Sequence, residues 1–308
     1  MEVRKVNGFF IIFVIGYIGL SVVCASIMAY AQNSGIAVPD WIQYVMSEGI
    51  ILLIAIIYMI VQKIDPIREI PYKRIGIVDV ILSLVAGYCL IPAVLLISNL
   101  SMLFSTNYLE EGTTTLLTYP FAMQVILLAV IPPLVEELIF RGIFFGSYRK
   151  AGMTGAALMS GLLFGCFHLN INQALYAFVI GIVFAYMVEA TGSLWSSVIA
   201  HFAVNTYSIG IVQILKMAGM YAQDGSVSET FENAESVAGQ STAITVVQIA
   251  MIAVICIRTM AKRHGNLEKM KIQNVKLSHI KNYFTAPVIV GIVVCVMYMI
   301  MLEFSGTL

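Results

Sequence analysis

Three short stretches place residues that can do chemistry inside runs that are otherwise apolar. In AVIPPLVEELIFRGIFFG, residues 129–146, these are Glu136, Glu137 and Arg141. In FGCFH they are Phe164 and His168, and in HFAVN they are His201 and Asn205. An ionisable side chain within a spanning helix costs about 2.5–3.5 kcal/mol on insertion scales, so each one points to pairing or to function. Glu137 and Arg141 lie four residues apart and share a helix face, where they can neutralise each other. A structural ion pair explains these two as well as a functional one does. Glu136 is turned about 100° from Glu137 and is left for another partner. Pro132 and Pro133 remove two backbone donors one turn earlier, which bends the helix or admits water beside Glu136. His168, taken alone, reads as an interface residue bonded to a carbonyl. His201 and Asn205, again four apart, read as an interhelical hydrogen-bonding pair.

Depth suggests that these residues meet. Counting 1.5 Å per residue from the cytoplasmic helix ends puts Glu136 roughly 15 Å deep and His168 roughly 21 Å. His201 and Asn205 fall at roughly 10 and 16 Å. A carboxylate and an imidazole sharing a water form a general-base pair, and a second imidazole with an amide can donate to a developing oxyanion. That set can hydrolyse an amide without a covalent nucleophile. A serine mechanism has no GxSxG motif to support it. Metal catalysis is the rival: Glu136 or Glu137 with His168 and His201 makes a two-His, one-carboxylate set suited to zinc. The HExxH spacing that holds two zinc-binding imidazoles on one helix is absent, so the expectation is no cofactor, with zinc as the alternative.

The elements that must carry these residues are membrane spans. The 308 residues are 60% hydrophobic and 11% charged, and the mean hydropathy is +0.92, far from a soluble domain with about a quarter of its residues charged. Nine candidate spans are expected, near 9–31, 42–61, 75–98, 121–146, 154–169, 173–190, 194–215, 243–261 and 284–303. The 154–169 stretch is short for a crossing of about 30 Å. With the N-terminus in the cytoplasm, all of the 17 basic residues except Lys216 and Arg141 fall on the inside, as positive-inside orientation requires. The outer loops instead carry Asp40, Glu110, Glu111, Asp224, Glu229, Glu232 and Glu235.

Other features carry less. Cys24, Cys89, Cys166, Cys256 and Cys295 all lie in apolar runs with no CxxC spacing, and read as buried thiols. The N-terminal run ending in Ala29-Tyr30-Ala31 mimics a signal peptide, but its length favours an uncleaved span. The basic loop 258–281 fits ordinary positive-inside bias better than headgroup binding. The outer loop 216–241 is acidic and rich in Gly, Ser and Asn. Internal repeats, phosphate loops and nucleic-acid motifs are absent from the sequence, so no nucleic-acid partner is expected and membrane lipid surrounds the spans. Oligomeric state has no signature here.

EELIFR, FGCFH and HFAVN, in that order on successive spans, resemble the EExxxR, FxxxH and HxxxN motifs of the CPBP family. These are CAAX-type and bacteriocin-processing intramembrane proteases. The resemblance covers roughly residues 75–215, and all motif positions match. It implies an all-α polytopic transmembrane bundle of about eight core spans enclosing a polar intramembrane cavity open toward the cytosol. The span at 284–303 would then be a possible ninth. The implied division is 1–74 for the N-terminal spans, 75–215 for the catalytic core, and 216–308 for the acidic loop and C-terminal spans. By resemblance, Glu136 and His168 activate the water, and His201 and Asn205 form the oxyanion hole. Glu137, Arg141 and Phe164 orient the site or meet substrate. The implied substrate is a hydrophobic peptide or membrane protein, such as a CAAX-like tail, a leader peptide or a bacteriocin precursor. A non-catalytic immunity or signalling protein and a proton-relay transporter are the other readings, the transporter weakened by the lack of an inverted repeat. The implied location is a cell membrane, and compact loops with a Met- and Ile-rich composition resemble bacterial members.

Overall fold

The computed structural model describes residues 3–106, 119–217, 243–272 and 281–305. The expected acidic segments at Glu110–Glu111 and most of 216–241 lie outside these residues, as does part of the basic loop. Every regular element among the described residues is helical. We number the long helices α1 (Val3–Asn33), α2 (Trp41–Val61), α3 (Ile77–Ser101), α4 (Phe121–Ala151), α5 (Met153–Phe167), α6 (Ile171–Thr191), α7 (Trp195–Met217), α8 (Ala243–Arg263) and α9 (Ala286–Ser305).

Eight of these helices are long and apolar enough to cross a membrane, while α5 is not. The chain is therefore a polytopic helical bundle, and the nine expected segments correspond to these nine helices. With 15 residues, α5 reaches only ~22 Å, short of a hydrocarbon core of ~30 Å. Its C-terminal turn thus falls at membrane depth. There Leu169 takes the left-handed conformation at φ 54°, and Asn170 caps the next helix by accepting from the Gln173 N–H at 3.2 Å.

Close backbone approach joins two of the central helices. A Cβ on Gly161 would come 2.8 Å from the Phe178 carbonyl oxygen, and one on Gly165 would come 2.5 Å from that of Ala174. This small-xxx-small stripe lets α5 lie directly against α6. On the opposite side α3 contacts both α7 and α8. The first helix is built into the core: Phe13 stacks on Phe167 at 4.5 Å between ring centroids and lies edge-on to Phe140 at 6.2 Å. The last helix also belongs to the bundle, packing on α1 and α5.

One end of the bundle is tied by polar contacts. Tyr148 donates to Asn7 at 2.7 Å, and the Asn7 amide donates to the Asn282 carbonyl at 2.8 Å. Buried Asp79 accepts from Arg263 at 3.2 Å and contacts His264 at 3.0 Å, and Arg149 pairs with Glu189. The loop before α7 is pinned through Leu194, whose N–H donates to the Pro71 carbonyl at 2.8 Å. These contacts fix where α4, α6 and α7 start and stop, and so set the level of the polar residues within them.

Candidate active site

Helix α4 is continuous but irregular. Two stretches, Val125–Val130 and Leu138–Phe145, follow the wider i→i+5 pattern, and a regular α segment, Ile131–Glu137, separates them. Pro132 and Pro133 explain the first irregularity, since neither can donate to the preceding turn. The Ile131 N–H reaches back five residues to Ile126. Widened turns of this kind are common where a helix must aim side chains at a site.

The expected pair is present: Arg141 Nη1 donates to Glu137 Oε1 at 2.8 Å, and both side chains are fully buried. Arg141 lies between two rings, 4.3 Å from the centroid of Phe164 and 5.2 Å from that of Phe184. Cation–π contact on both faces compensates a guanidinium with few hydrogen-bond partners, and its Nε and Nη2 have none. Space for it comes from Gly181, where a Cβ would sit 3.0 Å from Nη2 and 2.9 Å from the Gly161 Cα.

Glu137 does more than neutralise Arg141. The same Oε1 accepts from His201 Nδ1 at 3.1 Å. Because an ionised carboxylate only accepts, this contact places a proton on Nδ1. Nε2 of His201 then faces Glu136 Oε2 at 3.8 Å. That is too long for a direct hydrogen bond, yet one water oxygen can stand within ~2.8 Å of both atoms. The two neighbouring glutamates therefore converge on one imidazole, which their 100° separation on an ideal helix did not anticipate.

His168 is the C-cap of α5, at the end of the expected fifth segment. Its Nδ1 contacts the Phe164 carbonyl at 2.8 Å. A carbonyl cannot donate, so Nδ1 carries the hydrogen and Nε2 keeps a lone pair when the ring is neutral. Its ring lies edge-on to Phe164 at 4.7 Å, and that of His201 does so at 5.8 Å. Phe164 is the buried spacer between the two histidines and the lid over Arg141. The imidazole that Glu136 approaches is that of His201, at 3.8 Å, whereas the resemblance had paired it with His168.

Asn205 donates to the Leu128 carbonyl at 3.0 Å across two helices. One amide hydrogen of the expected oxyanion donor is thus already engaged by backbone.

Sequence reasoning missed Glu48. It lies within electrostatic range of Glu136, on α2, which packs against the Ile131–Glu137 segment, and its Oε2 is buried without a hydrogen-bond partner. The signal was available: Glu48 is the sole charged residue of the 42–61 span, and insertion cost alone singles it out. Among the described residues no three His, Cys, Asp or Glu side chains converge as a metal-ligand set.

Comparison with known proteins covers the same segment. Residues 118–207 match the family model described as type II CAAX prenyl endopeptidase Rce1-like. The chain is 32% identical over 88 residues to "Putative membrane peptidase YdiL" of Bacillus subtilis (strain 168), an alignment covering 28% of this chain and 36% of the relative. The chain thus spans about a third of the length of that relative. No solved structure matches it. All seven motif side chains fall within the matched segment, so it is through residues 118–207 that the chain is similar to the Rce1-like CAAX prenyl endopeptidases.

Proposed function

We propose that the protein is an intramembrane endopeptidase of the glutamic type, hydrolysing a peptide bond of a hydrophobic peptide or membrane protein with water as the nucleophile. The convergence of Glu136 and Glu137 on His201 carries this reading. Glu137 is committed to Arg141 and His201, which leaves Glu136 as the carboxylate that can take a proton.

Water held between Glu136 and His201 attacks the scissile carbonyl carbon as Glu136 removes one of its protons. The Nε2 lone pair of His168 accepts the water's other hydrogen and so orients it. His201, fixed through Nδ1 by Glu137, keeps its Nε2 edge turned toward the reacting carbonyl, on the side where the oxyanion forms. Asn205 adds to that side only through the amide hydrogen that Leu128 leaves free. When the tetrahedral intermediate breaks its C–N bond, Glu136 returns its proton to the departing amine and a carboxylic acid product forms. The buried surroundings strengthen each of these interactions relative to water.

The same proposal puts the N-terminus in a cytoplasmic compartment, with membrane lipid around the bundle. The support is the basic residues at the helix ends that Arg149–Glu189 and Asp79–Arg263–His264 tie together. Purified protein reconstituted in liposomes and offered membrane-inserted peptides should cleave them, and Glu136→Gln should cut cleavage by at least about 10²-fold while eluting as a folded species. Turnover by that variant at close to the wild-type rate would overturn the mechanism.

A further inference from the structure

We infer that Asn205 is a positioning residue: its amide replaces the backbone donor that Pro132 and Pro133 remove, and thereby holds the turn from which Glu136 projects toward His201. The inference rests on the peptidase reading for its consequence in catalysis, but not for its geometry.

In an α register the Leu128 carbonyl would accept from the N–H of residue 132, and in the wider i→i+5 register from that of residue 133. Both positions are proline, so neither register supplies a donor. The helix passes this point in the wider register, since Ile131 N–H bonds Ile126. A carbonyl left unpaired in an apolar span is costly. Asn205 Nδ2 meets it at 3.0 Å. The prolines therefore create a vacant acceptor on α4, and α7 supplies its donor.

Placement along the helices gives the contact its consequence. His201 and Asn205 stand one turn apart on α7, while Leu128 and Glu136 stand about two turns apart on α4. Helix α7 grips α4 at two levels, through His201 to Glu136 and Glu137 and through Asn205 to Leu128. The lower part of α4 is held by Tyr148 and Arg149; the two contacts with α7 act on the turns around the prolines and set which way Glu136 faces. An amide acting only as an oxyanion donor would have no use for the Leu128 carbonyl or for the proline pair.

The test is a cycle between Asn205→Leu and the pair Pro132→Ala with Pro133→Ala, which restores a backbone donor in either register. Melting of substrate-free protein in detergent is the first readout. Asn205→Leu should lower the midpoint by several degrees in the proline background and by less than half as much in the alanine background. The second readout is cleavage: the fold loss in kcat caused by Asn205→Leu should shrink by the same comparison. An equal drop in both backgrounds, in melting or in kcat, would overturn the positioning role and leave Asn205 as a direct donor to substrate. If wild-type protein cleaves nothing, the peptidase reading fails, while the melting cycle still decides the clamp. Asn205→Ser, read in the same two backgrounds, serves should the leucine variant not fold.

Discussion

His201 Nδ1 lies 3.1 Å from Glu137 Oε1, the oxygen that also accepts from Arg141 at 2.8 Å. One buried carboxylate oxygen thus joins a guanidinium from its own helix to an imidazole from another. It orients His201 and turns the opposite ring nitrogen toward Glu136. The arrangement separates the two glutamates by role although they are adjacent in sequence.

That separation is measurable. Glu137→Gln leaves the Arg141 charge buried without its counter-ion, a change expected to cost about 3–5 kcal/mol. Glu136→Gln touches no such pair, and its stability should stay within about 1 kcal/mol of wild type. Its cleavage rate should nevertheless fall by about 10²–10⁴-fold, the usual contribution of a general base. Melting and turnover measured on both variants check the assignment, and equal destabilisation by the two would contradict it.

Gly181→Ala probes the seat of Arg141. The added methyl would sit 3.0 Å from Arg141 Nη2 and 2.9 Å from the Gly161 backbone. Overpacking of this kind costs about 1–3 kcal/mol. Because the guanidinium must shift with it, cleavage should drop along with the melting temperature. Gly49→Ala, in open space on α2, is the control and should leave both unchanged.

Metal dependence is separable from both. Dialysis of purified protein against a tight chelator should leave cleavage intact if Glu136 alone activates the water. Loss of activity that zinc by itself restores would replace that mechanism with a metal-assisted one.

Glu48 offers a stability test of another kind. Its buried Oε2 has no hydrogen-bond partner, and it lies within electrostatic range of Glu136. Glu48→Leu removes a like charge and an unsatisfied atom together, and should raise stability by about 1 kcal/mol or more. A marked fall in melting temperature would show that Glu48 has a partner holding it in place.

Local pattern was enough to read the spans, the short α5, the Glu137–Arg141 pair and the three motif stretches. Each of these depends on hydropathy over some 20 residues or on the i,i+4 spacing of one helix, and such short-range features survive without knowledge of the neighbours. What faces what did not follow. An ideal helix points Glu136 away from Glu137, and only the widened turns of α4 and the approach of α7 bring both onto His201. The carbonyl contact of His168 was expected of an isolated interface histidine, yet its position as a helix cap came from where α5 stops. The Leu128 carbonyl that engages Asn205, the two rings around Arg141 and the nearness of Glu48 all join residues far apart in sequence. Helix rotation and interhelical distance set these contacts. Tertiary packing alone decides those quantities, through glycine faces that let the backbones touch and prolines that free the carbonyl Asn205 receives.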